Sequence, residues 1–329
     1  MSEVEVALDA DLPIEDSSVK PLVSYCLFTY KQERYIGESV DAALAQTYSP
    51  LEIIISDDCS SDRTYAIIEE KVNGYEGPHR IVINRNEKNL GIGGHISFIA
   101  SLAKGDFIVT VGGDDISNPK HVELAVAAMQ AYEGVYLSDF AATTINESGE
   151  ILKRDSALKK PSTYCLEDFV RLRKKVSTFA PGRIIHKDVV DRFPPIDSSC
   201  PTEDTVFVLR ALMLGKLRRE PINVIQYRRT EHSVSSSCNI RSLSISGIIN
   251  QYYRDVDHAL ANGILSEMDA QSLRCRIAFE DFKRQMKMQS NRGLFSTPLT
   301  RFKMKLYKCL YRFGIFVGPL KAVGAKKQA

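Results

Sequence analysis

The stretch Leu51-Glu52-Ile53-Ile54-Ile55-Ser56-Asp57-Asp58 decides the fold class of this chain. A short apolar run that ends abruptly in polar turn residues is typical of a strand buried on both faces of a parallel sheet. The two aspartates then lie at the carboxyl end of the strand, which is the edge where open α/β sheets bind ligands. The stretch therefore predicts an α/β protein with a ligand site at that edge.

A second acidic pair follows a second apolar run. Residues 107–111 lead through Gly112-Gly113 into Asp114-Asp115. Glycines allow a close approach of the backbone to a ligand, and adjacent carboxylates repel each other unless a cation lies between them. Oxygen ligands suit Mg²⁺ or Mn²⁺, so the pair is a candidate metal site. A solvated turn is the structural alternative.

The rest of the chain alternates between strand and helix patterns. Strands are predicted at Leu22–Thr29, Leu51–Ser56, Arg80–Asn84, Asp106–Val111, Val135–Ala142, Arg183–His186 and Ile222–Arg228. Helices are predicted at Tyr35–Gln46, after the N-cap Asp62, at Gly93–Ala103, from Pro119 to Tyr132, at Leu166–Arg173 and at Asp204–Leu214. Repeated βα units indicate a mostly parallel sheet flanked by helices.

Three segments follow from these patterns. Residues 1–20 are polar and acidic, which predicts a disordered tail rather than a secretory signal. Residues 21–240 form the α/β domain, and residues 241–329 form a helical, basic extension. The seven cysteines are spread without a CxxC pair, and no apolar run approaches the roughly 20 residues of a membrane span. We therefore expect a cytoplasmic protein without a disulfide or zinc framework.

Two further polar groups lie later in the chain. Glu203-Asp204 opens a helical pattern, where acidic residues are favoured by the helix dipole even without a function. His232 follows two arginines in a polar stretch, and a single histidine is usually structural. Its position near the arginines makes it a candidate contact for a diphosphate or a metal.

Taken in order, these pieces resemble the family-two inverting glycosyltransferases, which have the Rossmann-like GT-A fold and depend on nucleotide sugars. The resemblance covers about residues 21–235. It rests on residues 23–30 (VSYCLFTY), Ser39 to Tyr48, Glu52 to Asp62, Asn89-Leu90-Gly91, Gly105 to Asp115, Thr202-Glu203-Asp204, and Tyr227-Arg228-Arg229 with His232. Each piece is weak alone, but seven pieces in the family's order are specific.

The resemblance implies a role for each candidate residue. Phe28, Thr29 and Tyr30 line the base, Glu33 lies near the nucleotide, and Asp57 and Asp58 bind the uracil or ribose. Asp114 contacts the nucleotide and the metal, Asp115 and His232 complete the metal site, and Asp204 is the catalytic base. The chain departs from the family's pattern at three of its positions: Gly112 replaces the first acid of the DxD motif, Cys59 a glycine, and Lys31 an asparagine.

The implied activity is inverting transfer of a sugar from a nucleotide-diphosphate sugar, with UDP-sugars first, to a hydroxyl of a glycan or lipid-linked acceptor. The implied setting is bacterial surface polysaccharide synthesis. One alternative is a sugar nucleotidyltransferase, but residues 28–33 (FTYKQE) are not the glycine-rich basic loop that opens such enzymes. Another is a non-catalytic module that binds nucleotide sugars, against which both Asp114 and Asp204 argue.

The charge of the chain is unevenly distributed. From Gln271 onward there are fourteen Lys or Arg and two acids, a charge of +12 against a total of +2, so the remainder carries −10. Residues 300–317 project as an amphipathic helix with a basic flank. This predicts either peripheral contact with an anionic membrane on the inner face of the cell membrane, or packing on the catalytic domain or in an oligomer. Nothing in the sequence indicates nucleic-acid binding.

Overall fold

The computed structural model describes residues 20–154, 160–171, 176–230 and 245–291. Its strands are β1 (Val23–Thr29), β2 (Leu51–Asp57), β3 (Arg80–Arg85), β4 (Phe107–Gly112), β5 (Ile116–Ser117), β6 (Val135–Ile145), β7 (Ile151–Arg154), β8 (Ser162–Cys165), β9 (Arg183–His186) and β10 (Lys216–Arg228). Its helices are α1 (Ile36–Leu44), α2 (Thr64–Val72), α3 (Gly91–Leu102), α4 (His121–Gln130), α5 (Leu166–Val170), α6 (Asp188–Asp191), α7 (Asp204–Leu214), α8 (Ile245–Ala261) and α9 (Glu267–Asn291).

The described strands form one mixed sheet in the order β3-β2-β1-β4-β9-β6-β10-β5, with β7 paired to β6 and β8 to β10. Strands β3, β2, β1 and β4 run parallel. Within this group Phe28 of β1 lies opposite Ser56 of β2 and Gly112 of β4. Because β2 and β4 end at the same level, their two aspartate pairs follow at the same edge of the sheet.

The second half of the sheet contains both parallel and antiparallel pairs. Strand β9 is antiparallel to both neighbours and pairs Arg183 with Thr110 of β4. Strand β10 is parallel to β6, and it pairs with β5 and β8 in antiparallel fashion. The start of β9 therefore lies beside the end of β4, just before the glycine pair.

Helices cover both faces of the sheet. One apolar cluster joins the sheet to α1, α2 and α4, and another joins it to α3, α6 and α7. Strand β2 is buried along its whole length, as its uninterrupted apolar run predicts. The mostly parallel α/β sheet flanked by helices is confirmed.

The described part of the C-terminal extension packs against α7. A third apolar cluster includes Leu209 and Met213 of α7 together with residues of α8 and α9. Arg210 of α7 and Asp255 of α8 form a fully buried ion pair, with Nε–Oδ2 and Nη2–Oδ1 distances of 2.7 and 2.9 Å. Removal of one partner of such a pair typically costs about 3–5 kcal/mol. Helix α8 is thus anchored on the α/β domain, and the boundary near residue 240 stays a prediction.

Several element boundaries differ from the sequence prediction. Helix α2 begins at Thr64, not directly after Asp62, although Asp62 Oδ1 accepts a hydrogen bond from the Thr64 amide at 3.1 Å. Helix α4 begins at His121, so Pro119 lies outside the helix and not at its first position. Residues 1–19, His232 and the amphipathic segment 300–317 lie outside the described residues.

Candidate active site at the carboxyl ends of the strands

Gly112, Gly113, Asp114 and Asp115 form a tight turn after β4, which we call the acidic loop. The Gly113 amide donates to the Phe28 carbonyl at 2.9 Å, and this bond holds the loop against the end of β1. A Cβ at Gly113 would lie 2.6 Å from Thr29 Oγ1 and from Gln32 Oε1, so only glycine fits there. A Cβ at Gly112 would meet Asp114 Oδ1 at 3.1 Å, a tight but smaller conflict.

The two carboxylates of the acidic loop lie in an environment that disfavours their charges. Burial raises the pKa of Asp114, although its own backbone amide and Gln32 oppose the shift. Burial, followed by the charge of Asp114, raises the pKa of Asp115 well above its usual value, while Arg228 opposes this. A cation or another positive group at this position would stabilise the charged form of both carboxylates.

Arg228 at the end of β10 holds the acidic loop from inside the protein. Its side chain is 1% exposed. Its amide donates to Asp115 Oδ1 and its Nε to the Asp114 carbonyl, both at 3.0 Å. Nη2 donates to Glu38 Oε2 at 2.6 Å, and the guanidinium stacks 4.8 Å from the Tyr35 ring centre. Arg228 therefore fixes the loop, but its positive charge is shared among several partners.

A cavity of about 570 Å³ lies on the other side of Arg228. Arg228 Nη1 donates to the Asn146 and Glu147 carbonyls at 3.2 and 3.0 Å, which connects the cavity wall to the acidic loop. The cavity is lined by Arg34, Asn146, Glu147, Ser148 and Arg229. Its lining is polar, and Arg228 is the residue that connects it to the acidic loop.

Asp204, the predicted base, is the first residue of α7 and is half-buried. Arg183 Nη1 donates to its carbonyl at 2.8 Å, while Arg183 Nε and Nη2 bind Asp139 at 2.6 and 3.2 Å. Because Arg183 pairs with Thr110 of β4, the start of α7 lies at the same edge of the sheet as the acidic loop. The fold thus brings Asp204, Asp114 and Asp115 to one end of the sheet from positions about 90 residues apart in the chain.

The Asp57–Asp58 pair is occupied by protein donors. Asp57 Oδ2 accepts from the Ser60 amide at 2.9 Å, and Arg85 Nε lies 3.5 Å away. Asp58 accepts from Asn86 Nδ2 at 2.8 Å and from the amides of Leu90 and Gly91, the N-cap and first residue of α3, at 2.9 and 3.0 Å. The two side chains are 0% and 2% exposed, so their contact with a nucleotide stays a prediction.

The predicted base-lining residues follow β1 and face the turn after β2. Tyr30 is 43% exposed, Phe28 is half-buried, and Thr29 is buried with Oγ1 2.7 Å from Gln32 Oε1. Glu33 Oε2 accepts from the Arg63 amide at 2.9 Å. The exposed ring of Tyr30 is thus free of the sheet and suited to stacking on a base.

The turn after β1 and the turn after β2 meet through residues with left-handed backbone conformations. Lys31 has φ 53° and Cys59 has φ 63°, and the Lys31 amide donates to Ser60 Oγ at 2.8 Å. Cys59 therefore adopts the conformation that glycine adopts most easily at this position.

Sequence reasoning missed four contributors to the site: Arg183, Asp139, Gln32 and the bridging role of Arg228. Arg183 and Asp139 lie in separate strands 44 residues apart, and nothing in either local pattern indicates their pairing. The arginine at the start of the short predicted strand 183–186 (RIIH) is the one signal that could have drawn attention to Arg183.

The acidic loop fits a hard cation in charge and in donor type. Asp115 is buried, Asp114 is half-buried, and both have raised pKa values. Carboxylate oxygens are the ligands that Mg²⁺ and Mn²⁺ prefer. Among the described residues no group of three His, Cys, Asp or Glu side chains is arranged to hold a metal. A cation here would therefore take its remaining ligands from substrate and water, or from His232.

No helix in the described part of the chain is both long and apolar enough to cross a membrane. The five cysteines that the structure describes are free thiols.

Comparisons with known proteins identify the family of this chain. The model of glycosyl transferase family 2 matches residues 24–193. A curated Escherichia coli relative, the UDP-Glc:alpha-D-GlcNAc-diphosphoundecaprenol beta-1,3-glucosyltransferase WfaP, is 30% identical over 225 residues, or 66% of this chain and 80% of the relative. The chain spans less than two thirds of three other curated glycosyltransferases that it matches, namely 65%, 40% and 33% of their lengths.

Solved structures show the same fold at lower identity. S. aureus TarS 1-349 in complex with UDP-GlcNAc matches with a TM-score of 0.60 and 17% identity over 88% of this chain and 81% of TarS. The mannosyltransferase PcManGT from Pyrobaculum calidifontis, in complex with GDP-Man and Mn²⁺, matches with a TM-score of 0.50 and 13% identity over 91% and 88% of the two chains. The GT-A fold and the glycosyltransferase class predicted from the sequence are confirmed. The chain belongs to glycosyl transferase family 2.

Proposed function

We propose that this glycosyltransferase moves a sugar from a nucleotide-diphosphate sugar to an acceptor hydroxyl with inversion at the anomeric carbon. The observation that carries the proposal is the meeting of Asp204 and the acidic loop at one edge of the sheet, linked by Arg183 and the β4–β9 pairing. A carboxylate that can take a proton then lies at the same edge of the sheet as carboxylates that can hold the cation of a diphosphate.

UDP-sugars are the first donors to test. The names of WfaP and of the TarS complex both contain a UDP-sugar, whereas PcManGT was solved with GDP-Man. In this chain Phe28, Thr29 and Tyr30 would line the base, with Glu33 near the nucleotide. Asp57 and Asp58 would act on the uracil or ribose side, at least by shaping the turn that faces it.

The proposed reaction is a single displacement. Asp204 takes the proton from the acceptor hydroxyl, and the oxygen attacks the anomeric carbon as the bond to the diphosphate oxygen breaks. Attack from the face opposite the leaving group inverts the configuration. Arg228 keeps the acidic loop in place, and the cavity lined by Arg34, Asn146, Glu147, Ser148 and Arg229 is our candidate for the acceptor entrance.

Asp114 and Asp115 are the residues that would hold Mg²⁺ or Mn²⁺, with His232 as a further candidate. When bound, the cation offsets the negative charge that develops on the leaving diphosphate. The raised pKa values of both aspartates support this assignment, since burial leaves them short of positive charge.

The acceptor is proposed to be a glycan or a lipid-linked glycan of bacterial surface polysaccharide synthesis. The name of WfaP, which contains a diphosphoundecaprenol-linked sugar, supports this class. The basic charge after Gln271 supports cytoplasmic, peripheral contact with an anionic membrane. Co-sedimentation with anionic vesicles of the full chain, but not of a chain ending at Gln289, is the expected result. Equal behaviour of both proteins would rule the tail out as an anchor.

A donor panel tests the proposal. Thermal unfolding and nucleoside diphosphate release are followed for the full chain with UDP-, GDP- and other nucleotide sugars in the presence of Mn²⁺. We expect one donor class to raise Tm and to release its nucleoside diphosphate. Consumption of a nucleoside triphosphate with a sugar phosphate would instead indicate a nucleotidyltransferase. Binding without release, even with acceptors added, would indicate a non-catalytic module.

A further inference from the structure

Glu203, the residue directly before Asp204, has a buried carboxyl group in which one oxygen lacks a hydrogen-bond partner. It is 7% exposed, and its Oε2 has no hydrogen-bond partner in the part of the chain that the structure describes. An ionised carboxylate can only accept hydrogen bonds, so burial without donors strongly disfavours its charge. A neutral carboxyl group carries its own proton and can act as a donor.

The Asp204 side chain lies within hydrogen-bond reach of Glu203. Two carboxyl groups can form a hydrogen bond only when one of them carries a proton. Asp204 is half-buried, whereas Glu203 is almost fully enclosed, so the proton belongs on Glu203. Burial, followed by the charge of Asp204, raises the pKa of Glu203 well above its usual value.

The other charged and titratable groups near Glu203 do not supply the positive charge that would stabilise an ionised Glu203. Arg183 of β9 lowers the pKa of Glu203, but its guanidinium is bound to Asp139 and to the Asp204 carbonyl. Cys200, in the loop before α7, donates its thiol to the Thr202 carbonyl at 3.2 Å. Burial raises the pKa of this thiol, so it stays neutral.

We propose that Glu203 is held as a neutral acid and donates a hydrogen bond to the carboxylate of Asp204, which makes Glu203 the positioning residue of the base. The inference rests on the proposed role of Asp204. In general, a hydrogen bond donated to a carboxylate favours the charged form of that carboxylate. Here the bond would fix one oxygen of Asp204, which leaves the other oxygen to accept the proton of the acceptor.

Two variants of the full chain distinguish a neutral Glu203 that donates a hydrogen bond from an ionised Glu203. Glu203→Gln keeps the size of the side chain and a donor, so turnover should stay within about threefold and the acid side of the pH–rate profile should not move. Glu203→Leu removes the donor, so turnover should fall by about 10- to 100-fold and the acid side should move to higher pH. A shift to lower pH in Glu203→Gln would mean that Glu203 is ionised. Wild-type behaviour of Glu203→Leu would mean that it positions nothing. Either result overturns the inference.

Infrared spectroscopy at neutral pH gives a readout without substrate. The wild-type-minus-Glu203→Gln difference should contain the carbonyl band of a protonated carboxyl group. Glu220→Gln is the matched control, because Glu220 is also buried, at 2% exposed, but pairs with Arg218. Its difference spectrum should lack that band. Absence of the band for Glu203 overturns the inference and leaves glycosyl transfer standing. Full turnover in Asp204→Asn would sink the proposed base and leave the band in place.

Discussion

The two aspartate pairs of this protein share one sequence signal and differ in structure. Asp57–Asp58 and Asp114–Asp115 each follow a buried parallel strand and lie at the same edge of the sheet. The first pair receives hydrogen bonds from the Ser60, Leu90 and Gly91 amides and from Asn86. The second pair receives fewer, and burial raises the pKa of both carboxylates.

The difference separates two uses of buried negative charge. The carboxylates after β2 are stabilised by local hydrogen-bond donors and by the start of α3, so this pair holds two loops together. The pair after β4 keeps charge that the protein does not fully compensate, which is typical of a group that meets a cationic ligand or cofactor. We infer that the first pair serves mainly the fold and that the second serves the reaction.

The largest expected effect is on turnover and comes from Asp204, the proposed base. Asp204→Asn should lower turnover by about 10²- to 10⁴-fold, the usual contribution of a general base, with donor binding nearly unchanged. Asp188→Asn is the matched control, because Asp188 is likewise the first residue of a helix and is partly exposed. Steady-state kinetics with both variants checks this. If the two variants behave alike, Asp204 is only a helix-start charge.

The next effect concerns the cation at the acidic loop. Asp114→Ala should weaken nucleoside diphosphate binding by about 10- to 100-fold, and EDTA should strongly reduce wild-type activity. Asp41→Ala, which removes an exposed partner of Lys71, should change neither quantity. Calorimetric titration of the nucleotide measures the first effect. Full activity in chelator would mean that protein cations carry the charge instead, as the glycine at position 112 allows.

A smaller effect separates the two pairs by stability. Asp58→Asn should lower the free energy of unfolding by about 2–3 kcal/mol, because the amide cannot accept at both oxygens. Asp115→Asn should leave stability equal or higher, since it removes a buried charge and keeps an oxygen for the Arg228 amide. Urea unfolding of both variants is the measurement. Equal losses would erase the distinction between the pairs.

The smallest effect comes from a buried histidine away from both pairs. His121 donates Nε2–H to the Gly182 carbonyl at 2.9 Å, and burial lowers the pKa of His121 to about 4. The unfolded chain takes up this proton near pH 6.5 and the folded chain does not, so stability falls as pH falls. Between pH 7 and 5 the wild type should lose about 2 kcal/mol more than His121→Gln. Parallel losses in urea titrations would contradict the buried neutral state.

The parallel half of the fold could be predicted from the sequence because its strands are continuous apolar runs. Strand β9 was predicted at its observed bounds, Arg183–His186. The first half of β10 was missed because residues 216–220 (KLRRE) are mostly charged. The structure buries residues 217–220. Arg218 pairs with Glu220, and the Arg218 guanidinium stacks 3.4 Å from the Tyr132 ring centre. Strand β5 is two residues long and carries no period.

The site could be predicted in its acids but not in its arginines. Adjacent aspartates after buried strands are a local signal that indicates Asp58 and Asp114, and the acidic pair Glu203-Asp204 before an apolar helical pattern indicates Asp204. Their different environments depend on contacts far apart in the chain, such as Arg228 with Asp114 across 114 residues. The sequence could therefore indicate which groups form the edge of the sheet, but not which pair the protein itself neutralises.

The configuration of the transferred sugar tests the central claim most directly, namely that Asp204 and the acidic loop act together in one displacement. Proton NMR of the product formed by the full chain, from a donor of known anomeric configuration, gives this result in one spectrum. The account predicts a product with inverted configuration at the anomeric carbon. A product with retained configuration would contradict it, because a single attack opposite the diphosphate cannot retain the configuration.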